Sequence, residues 1–430
     1  MSQSESNTND KACINCSSQE QVYGDCSHPL CRSCWSEHWN ESFKRNAASV
    51  ISDHLHGQLT CAKCAKVTQV GREKLEESET SELREKLKGI ISTIPRHTPR
   101  GPAPPTQLSD FNYAFNEHGE LKNRTTGDGF QWITQRHYDV LADAVNVHVQ
   151  RELQTKYKLT ETWLPPSDSE APDGHQDTYG RLNIFTSKDF TTNEGGCLVI
   201  IQGLGPVRPG VWALAPIINN RMDEATMYSY INAAVERKWS VIILNPNSNG
   251  YVSVSEEERK RQDEEREEKE EESVEYYLSS LKTHPNRYRG TEKNIPGHED
   301  RQTHTLTVWK EMISTKCPAK NLYFTAFSAG GRCMMELLNC GDKRLFERAR
   351  GLAQMDSCTP VGHSKEAKEF IKKRAVHWVA SDEAVNTVVQ KADGKRYLCE
   401  ERSGGDSRHS WVPAACASHV FQFFDSIKEK

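Results

Sequence analysis

The stretch Asn321-Leu-Tyr-Phe-Thr-Ala-Phe-Ser-Ala-Gly-Gly331 decides the fold of this chain. Its apolar and β-branched run, Leu322 to Ala326, predicts a strand buried on both faces. Gly330 and Gly331 then open a segment with helical spacing. A serine on a tight turn between such a strand and helix is the layout of a nucleophile elbow, where small neighbours avoid collisions. An ordinary βα turn with a helix-capping serine is the alternative interpretation.

Strands and helices alternate on both sides of this stretch. Apolar runs predict strands at residues 197–201, 240–244, 349–355, 375–380 and 396–400, helices at 138–157, 227–237, 297–316, 365–373 and 414–427, and a hairpin near 111–121. Strands that alternate with helices predict an α/β fold with a parallel sheet covered by helices on both faces.

Composition narrows the class of protein. The chain has 430 residues, 36% hydrophobic and 27% charged, with a net charge of −5. This balance predicts a globular body with polar insertions and does not favour direct nucleic-acid binding. The polar N-terminus, and the absence of any run near the ~18 apolar residues of a membrane span, predict a nuclear or cytosolic protein without a membrane segment.

The order of polar residues after the predicted strands points to acyl-transfer chemistry. Ser328 is the candidate nucleophile and His409, in the loop after the last strand, is the candidate base. Asp382 follows the strand at 375–380, where such folds place the orienting acid, and Asp356 ends the preceding strand and is the alternative. His419 falls inside the final helix and is interpreted as a packing residue.

Backbone N–H groups would complete this site. The N–H of Ala329 and one from the turn Gly203-Leu204-Gly205 are the candidate oxyanion donors.

The N-terminal region has the spacing of zinc ligands. Pairs of ligands separated by short spacers can hold zinc tetrahedrally, and so few apolar residues lie between them that metal binding must supply much of the folding energy. The eight candidate ligands are Cys13, Cys16, Cys26, His28, Cys31, Cys34, Cys61 and Cys64.

This ligand order resembles the RING finger family, and the segment around Cys31 resembles the first RING of RING-between-RING ligases. The resemblance implies a cross-brace of two zinc ions. One would be held by Cys13, Cys16, Cys31 and Cys34, and the other by Cys26, His28, Cys61 and Cys64. Such a finger either recruits a ubiquitin-conjugating enzyme or binds proteins without ligase activity. The last pair, Cys-Ala-Lys-Cys64, lacks the proline usual in ligase fingers, which favours the second interpretation.

The predicted domains follow from these patterns. Residues 11–68 form the finger, 69–107 form a charged helix and a proline-rich linker, and 108–430 form the α/β domain with a charged insertion near 251–290.

Several strings between about Phe111 and Phe424 form one set. They are Phe-Asn-Tyr-Ala-Phe-Asn-Glu-His-Gly-Glu-Leu121, Ile-Gln-Gly-Leu-Gly-Pro-Val-Arg-Pro-Gly-Val-Trp-Ala213, Val-Ile-Ile-Leu-Asn-Pro-Asn247, Ala-Phe-Ser-Ala-Gly-Gly331, Met-Asp-Ser357 and Trp-Val-Ala-Ser381, followed by His409. Through these strings the segment resembles the Argonaute-binding-protein (Arb) domain family.

The resemblance implies an α/β-hydrolase-like fold, a serine nucleophile, and a role in small-RNA silencing, chromatin or splicing control. Argonaute, chromatin factors or splicing factors would then be the partners. It favours Asp356 as the acid, whereas strand order favours Asp382, so both remain open. Three functions are consistent with the sequence: a serine hydrolase of esterase type, a regulatory scaffold that keeps the fold, and a ubiquitin ligase whose hydrolase-like domain selects substrates.

Overall fold

The structure is a computed structural model, and its described residues cover most of the predicted α/β domain. They are residues 107–132, 135–166, 180–253, 255, 257–258, 260–261, 291–357, 364–389 and 398–428, with four short strands nearer the N-terminus. Those strands are β1 (Val22–Tyr23), β2 (Leu30–Cys31), β3 (Gln58–Thr60) and β4 (Val67–Gln69). β1 pairs antiparallel with β2, and β3 pairs antiparallel with β4. The rest of the predicted finger, the linker and most of the charged insertion lie outside the described residues.

The chain divides into two compact units. One comprises Met1–Pro104, Gln131–Leu141 and Glu256–Arg287, and the other comprises Pro105–Phe130, Ala142–Ser255 and Tyr288–Lys430. The second unit contains the large sheet and every residue of the site described below.

An eight-stranded sheet forms the centre of the second unit. Its strands are β7 (Thr160–Leu164), β8 (Leu182–Thr186), β9 (Gly196–Ile201), β10 (Trp239–Ile243), β13 (Asn321–Phe327), β14 (Ala349–Met355), β15 (Ala375–Val379) and β16 (Glu400–Ser403). Their order is β16-β15-β14-β13-β9-β10-β8-β7. The six strands from β16 to β10 are parallel, whereas β8 and β7 are antiparallel to their neighbours. The predicted α/β fold is confirmed as a mixed α/β architecture with a largely parallel sheet, whereas the antiparallel strands β7 and β8 are not part of the prediction.

Helices cover both faces because alternate residues of each strand point to opposite sides. Leu322 and Phe324 of β13 belong to the main apolar core, together with the helices that run before and after this strand. Tyr323, between them, faces the other side and lies 5.2 Å from Phe424, centroid to centroid. This alternation of buried residues explains why the central strands have almost continuous apolar sequences.

The helices have the following bounds. They are α1 (Gln135–Thr155), α2 (Leu214–Asn219), α3 (Tyr228–Glu236), α4 (Arg301–Val308), α5 (Gly330–Asn339), α6 (Lys343–Arg348), α7 (Lys365–Arg374) and α8 (Val412–Lys428). A π-helical turn, Trp309–Ile313, and a last turn, Ser314–Lys316, continue α4. Short 3-10 turns lie at Leu108–Phe111, Met222–Glu224 and His409–Trp411. None of the described helices is both long enough and apolar enough to cross a membrane.

Two further antiparallel strand pairs belong to the second unit. β5 (Tyr113–Phe115) pairs with β6 (Leu121–Asn123), as the sequence predicts, and β11 (Gly250–Ser253) pairs with β12 (Thr291–Asn294). The sequence patterns miss β7, β8, β11 and β12.

The predicted last strand at 396–400 is wrong in position, because β16 begins at Glu400 and continues to Ser403. A short segment pairs with its other side: the N–H of Val389 donates to Glu401 O at 3.0 Å, and the N–H of Ser403 donates to Thr387 O at 2.7 Å. β16 is therefore held between β15 and residues 387–389.

Candidate active site

The candidate residues come from loops at one edge of the sheet. The carboxyl ends of parallel strands share that edge, which is where α/β folds place their binding and catalytic groups. Gln202–Gly205 follow β9, Ser328 follows β13, Asp356 follows β14 and His409 follows β16.

Ser328 occupies a strained turn between β13 and α5. Its φ is +51°, in the left-handed region that side chains other than glycine rarely adopt. Its N–H donates to Met355 O at 3.0 Å, and its carbonyl accepts from the N–H of Gly331 at 3.2 Å. The turn therefore bends the chain sharply and places the hydroxyl at the carboxyl edge, as the elbow interpretation requires.

Two glycines permit this close packing. A Cβ on Gly330 would lie 2.6 Å from the carbonyl oxygen of Ile201, and a Cβ on Gly203 would lie 2.9 Å from Ser328 Cβ. The loop after β9 thus passes directly against the serine. Glycine is required here by proximity, since neither φ lies in the left-handed region.

The carboxylate of Asp356 meets the imidazole of His409. The distance from Asp356 Oδ2 to His409 Nδ1 is 2.6 Å, and the other carboxylate oxygen accepts from the Ala380 N–H at 3.0 Å. Asp356 has a φ of +38°, and its own N–H donates to Trp378 O. This turn directs the carboxylate toward the loop that carries His409.

Two opposing effects set the pKa of Asp356. Burial raises it, but hydrogen bonds from His409 and from the Ala380 N–H lower it by more, with attraction to His409 and His377 adding to them. The net pKa lies below the ordinary value, so Asp356 is a carboxylate at neutral pH. A carboxylate only accepts hydrogen bonds, so the proton in this contact is on His409 Nδ1, and in the neutral imidazole Nε2 is then the acceptor.

His409 lies beside the serine turn. Its ring stacks on Phe327, the residue before Ser328, with centroids 4.6 Å apart and planes at 26°. The turn His409–Trp411 is anchored because the Trp411 indole N–H donates to Glu224 at 2.8 Å. The His409 side chain is half-exposed. The other late histidine, His419, lies in α8 and contacts Gln422.

Asp382 is placed differently. It lies in the loop after β15 and is exposed. Within the described part of the chain, the Asp382 carboxylate has no hydrogen-bond or ion-pair partner, and the acid that contacts His409 is Asp356.

The candidate oxyanion donors are backbone N–H groups at the same edge of the sheet as Ser328. Among the described residues, the N–H groups of Ala329, Leu204 and Gly205 have no protein acceptor. Gly205 has a φ of +142°, and the Leu204 side chain is 72% exposed, so its loop lies at the surface. Free N–H groups beside a serine hydroxyl are what a developing oxyanion requires.

A buried chain of polar groups supports the acid, and sequence reasoning did not find it. The Ser357 hydroxyl donates to Ser328 O at 2.8 Å, and the Ser357 N–H donates to His377 Nε2 at 2.9 Å. His377 Nδ1 lies 3.1 Å from Glu401 Oε1. A histidine in an otherwise apolar strand, β15, was the available signal, since buried polar groups need partners.

The structure does not test the predicted zinc ligands, because almost all of them lie outside the described residues. In the described part of the chain, no three His, Cys, Asp or Glu side chains are grouped to hold a metal ion. Of the eight predicted ligands, only the backbone of Cys31, in β2, falls within the described residues.

Comparisons with known proteins agree on one family. The Arb2 domain model matches residues 104–385, a range that includes Ser328 and Asp356 and ends before His409. A "Cotranscriptional regulator ARB2A homolog" of Xenopus tropicalis is 30% identical over 85% of this chain and 90% of its own. The homolog of Dictyostelium discoideum is 32% identical over 75% of this chain and 80% of its own. Among solved structures, "A histone deacetylase from Saccharomyces cerevisiae" covers 67% of this chain and 97% of its own at 10% identity, with a TM-score of 0.41, too low to support a functional inference.

Proposed function

The chain belongs to the Arb2 domain family, and on this basis we propose that it is a regulatory protein whose α/β-hydrolase-like domain has a serine hydrolase site of esterase type. Ser328 is the nucleophile, His409 is the general base, and Asp356 orients and stabilises the imidazole.

One observation carries this proposal. The 2.6 Å contact between Asp356 and His409 joins loops that are 53 residues apart in sequence, and the same imidazole packs on the residue before Ser328. A structural histidine at a loop surface needs no carboxylate partner of this kind. A triad needs one, because the acid fixes the tautomer in which Nε2 can accept the serine proton.

The proposed reaction uses these groups in two steps. Ser328 Oγ attacks the carbonyl carbon of an ester while His409 Nε2 takes its proton, and the N–H groups of Ala329 and Leu204 stabilise the oxyanion. Collapse of the tetrahedral intermediate breaks the ester C–O bond, and His409 returns the proton to the leaving alcohol. Water, deprotonated by His409, then releases the acid product and regenerates Ser328.

The proposal is tested by labelling the full-length protein with a fluorophosphonate, which reacts only with an activated serine. We expect labelling of the wild type and none of Ser328→Ala, because the reagent bonds to the serine oxygen itself. His409→Gln and Asp356→Asn should each lower the labelling rate by at least about 10³-fold, with the larger loss at His409, because the members of a triad act as a unit.

The matched control is Asp382→Asn, which removes the other candidate acid from an exposed position. It should label at the wild-type rate. Failure of the wild type to label would reject the hydrolase. Loss of labelling in Asp382→Asn, with Asp356→Asn unaffected, would reassign the acid.

The regulatory role rests on the relatives, whose names describe cotranscriptional regulators. A chain of this family would work in the nucleus with protein partners such as Argonaute, chromatin factors or splicing factors. A fluorescent fusion of the full chain should therefore accumulate in the nucleus. Ser328→Ala would show whether that role needs the hydroxyl: if wild type and variant regulate transcripts equally, the domain acts as a scaffold.

The N-terminal residues 11–68 are proposed to form a RING-like finger with two zinc ions. The support is the spacing of eight ligands, Cys13, Cys16, Cys26, His28, Cys31, Cys34, Cys61 and Cys64. Metal analysis of the full chain should give two zinc ions, and Cys31→Ser should lower that content. A zinc-free wild type would contradict the finger. Autoubiquitination with a panel of conjugating enzymes tests the ligase alternative, which would be supported by chain formation that Cys31→Ser abolishes.

A further inference from the structure

Arg301 holds a position that helix stability does not explain. It is the first residue of α4, directly after the N-cap Asp300, whose carboxylate accepts from the Thr303 N–H. A positive charge in the first turn of a helix opposes the helix dipole. The Arg301 side chain is half-buried, so its role must lie in the contacts that it makes.

Its hydrogen bonds to oxygen atoms reach the loop after β9 and Asn247 in the loop after β10. The guanidinium donates to Gln202 O at 3.2 Å and to Gly203 O at 3.4 Å, and it also donates to the Asn247 side-chain oxygen. Asn247 Nδ2 in turn donates to Gly203 O at 2.9 Å and to Val207 O at 3.2 Å. The carbonyl of Gly203 thus accepts two hydrogen bonds, and the carbonyl before it accepts one.

The same helix also fixes the loop that carries Asn247. The Asn245 N–H donates to His304 Nε2 at 3.1 Å, and His304 Nδ1 lies 2.9 Å from His298 Nδ1. Burial holds the pKa of His304 well below its ordinary value, so the ring is neutral and its Nε2 is a permanent acceptor. Helix α4 therefore holds both the loop after β9 and the loop after β10.

The orientation of these carbonyls determines where the N–H groups point. A trans peptide unit is planar, with its C=O and N–H directed oppositely. Since Gly203 O is bound to Arg301 and Asn247, the N–H of Leu204 in the same peptide unit points away from both residues. The Leu204 N–H has no protein acceptor among the described residues. Because Gly203 lies against Ser328, this N–H is close to the serine turn.

We infer that Arg301 and Asn247 are positioning residues that clamp the Gly203–Leu204 peptide with its N–H directed at the oxyanion formed on Ser328. This inference rests on the proposed hydrolase function and adds residues that act through the loop. A guanidinium is suited to the task because its fixed fork of donors can bind two successive carbonyls and a side-chain oxygen at once, which an ammonium cannot do with the same geometry.

The experiment compares Arg301→Ala with the wild type in the full-length protein, with p-nitrophenyl acetate as the probe. Removal of a direct oxyanion donor costs about 10²- to 10³-fold in kcat, so loosening one should cost about 10- to 100-fold. The KM should change little, because the interaction is made in the transition state. Added guanidinium at low concentration should restore part of kcat, and Asn247→Ala combined with Arg301→Ala should cost little more than either change alone.

Arg348 supplies a matched control. It is also half-buried and donates to three backbone carbonyls, those of Ala319, Ile313 and Cys317, but these precede β13 at the opposite end of the strand from Ser328. Arg348→Ala should lower the melting temperature and leave kcat unchanged.

The outcomes separate the two proposals. A wild type that neither hydrolyses the ester nor labels with a fluorophosphonate overturns both. An active wild type with undiminished kcat in Arg301→Ala overturns the clamp alone, as does an equal loss of kcat in Arg348→Ala. If Arg301→Ala does not fold, Arg301→Lys replaces it. That variant keeps the charge but not the fork, and undiminished kcat there also overturns the clamp.

Discussion

Gly203→Ala offers the sharpest single test of the contact between the loop after β9 and the serine. The added Cβ would lie 2.9 Å from Ser328 Cβ, 3.2 Å from Phe327 Cδ1 and 3.4 Å from Ser328 Oγ. Carbon atoms pack at about 3.5–4.0 Å, so the loop or the serine must move by roughly 0.6–1 Å. Overpacking of this kind costs about 1–3 kcal/mol.

The consequence for activity should exceed that for stability. A displacement of about 1 Å at a reacting centre costs on the order of 10²-fold in rate. For a domain of this size, each kcal/mol lowers the melting temperature by about 2–4 °C. We therefore expect fluorophosphonate labelling to slow by about 10²-fold while the protein stays folded well above room temperature.

The assay is the second-order labelling rate, measured beside the melting temperature. Gly129→Ala is the control, because no atom lies within 4 Å of a Cβ at that position. Gly129→Ala should match the wild type in both measurements. A Gly203→Ala protein with wild-type labelling and an unchanged melting temperature would refute the proposed contact and the clamp that depends on it.

Three further predictions concern the support of the site. Asp356 has a lower pKa in the folded state than in the unfolded state, so its contribution to stability is fully present above about pH 4 and is lost as the pH falls through the folded-state pKa. Asp356→Asn should therefore flatten the stability curve below about pH 4 in urea unfolding, and an unchanged curve would contradict this. Glu401→Leu removes the oxygen that lies 3.1 Å from His377 Nδ1, and it should lower the free energy of unfolding by about 1–3 kcal/mol in chemical denaturation. Glu401→Gln keeps an acceptor oxygen and should lower it less. Equal losses in the two variants would argue against the hydrogen bond. Gly330→Ala would place a Cβ 2.6 Å from Ile201 O, a backbone atom that cannot rotate away. The variant should lower the free energy of unfolding by at least about 1–3 kcal/mol. A melting temperature equal to that of the wild type would contradict this prediction.

The sequence predicts the centre of the sheet well and its edges poorly. The strand at Ala349–Met355 has the predicted bounds, because strands covered on both faces need nearly continuous apolar residues. β16, Glu-Glu-Arg-Ser, has no apolar run, and the burial that stabilises it comes from neighbours distant in sequence. At the other end of the sheet, β7 is largely polar and half-buried, and β8 is only five residues long, so neither has a long apolar run.

The site divides in the same way. The order of serine, acid and histidine after successive strands can be read from the chain, but the choice between two acids cannot. The left-handed φ of Asp356 and the loop that brings His409 over Phe327 are set by the assembled sheet. Arg301 and Asn247 have no local pattern at all, because they act on backbone carbonyls that any sequence would supply.

The strand order also places the parts of the site in regions of different local stability. Ser328 follows β13, which is hydrogen-bonded to β9 and β14 in the middle of the sheet, whereas His409 follows β16 at its end. Local opening is cheapest where few strands must separate, and it leaves the interior intact. Transient release of β16 from β15 and residues 387–389 would withdraw the proposed base, His409, while the proposed nucleophile and oxyanion donors stay in place. The amide protons near His409 should accordingly exchange with solvent long before those of β13. The pairing of one strand near the end of the sheet would then decide whether the serine and the histidine are together.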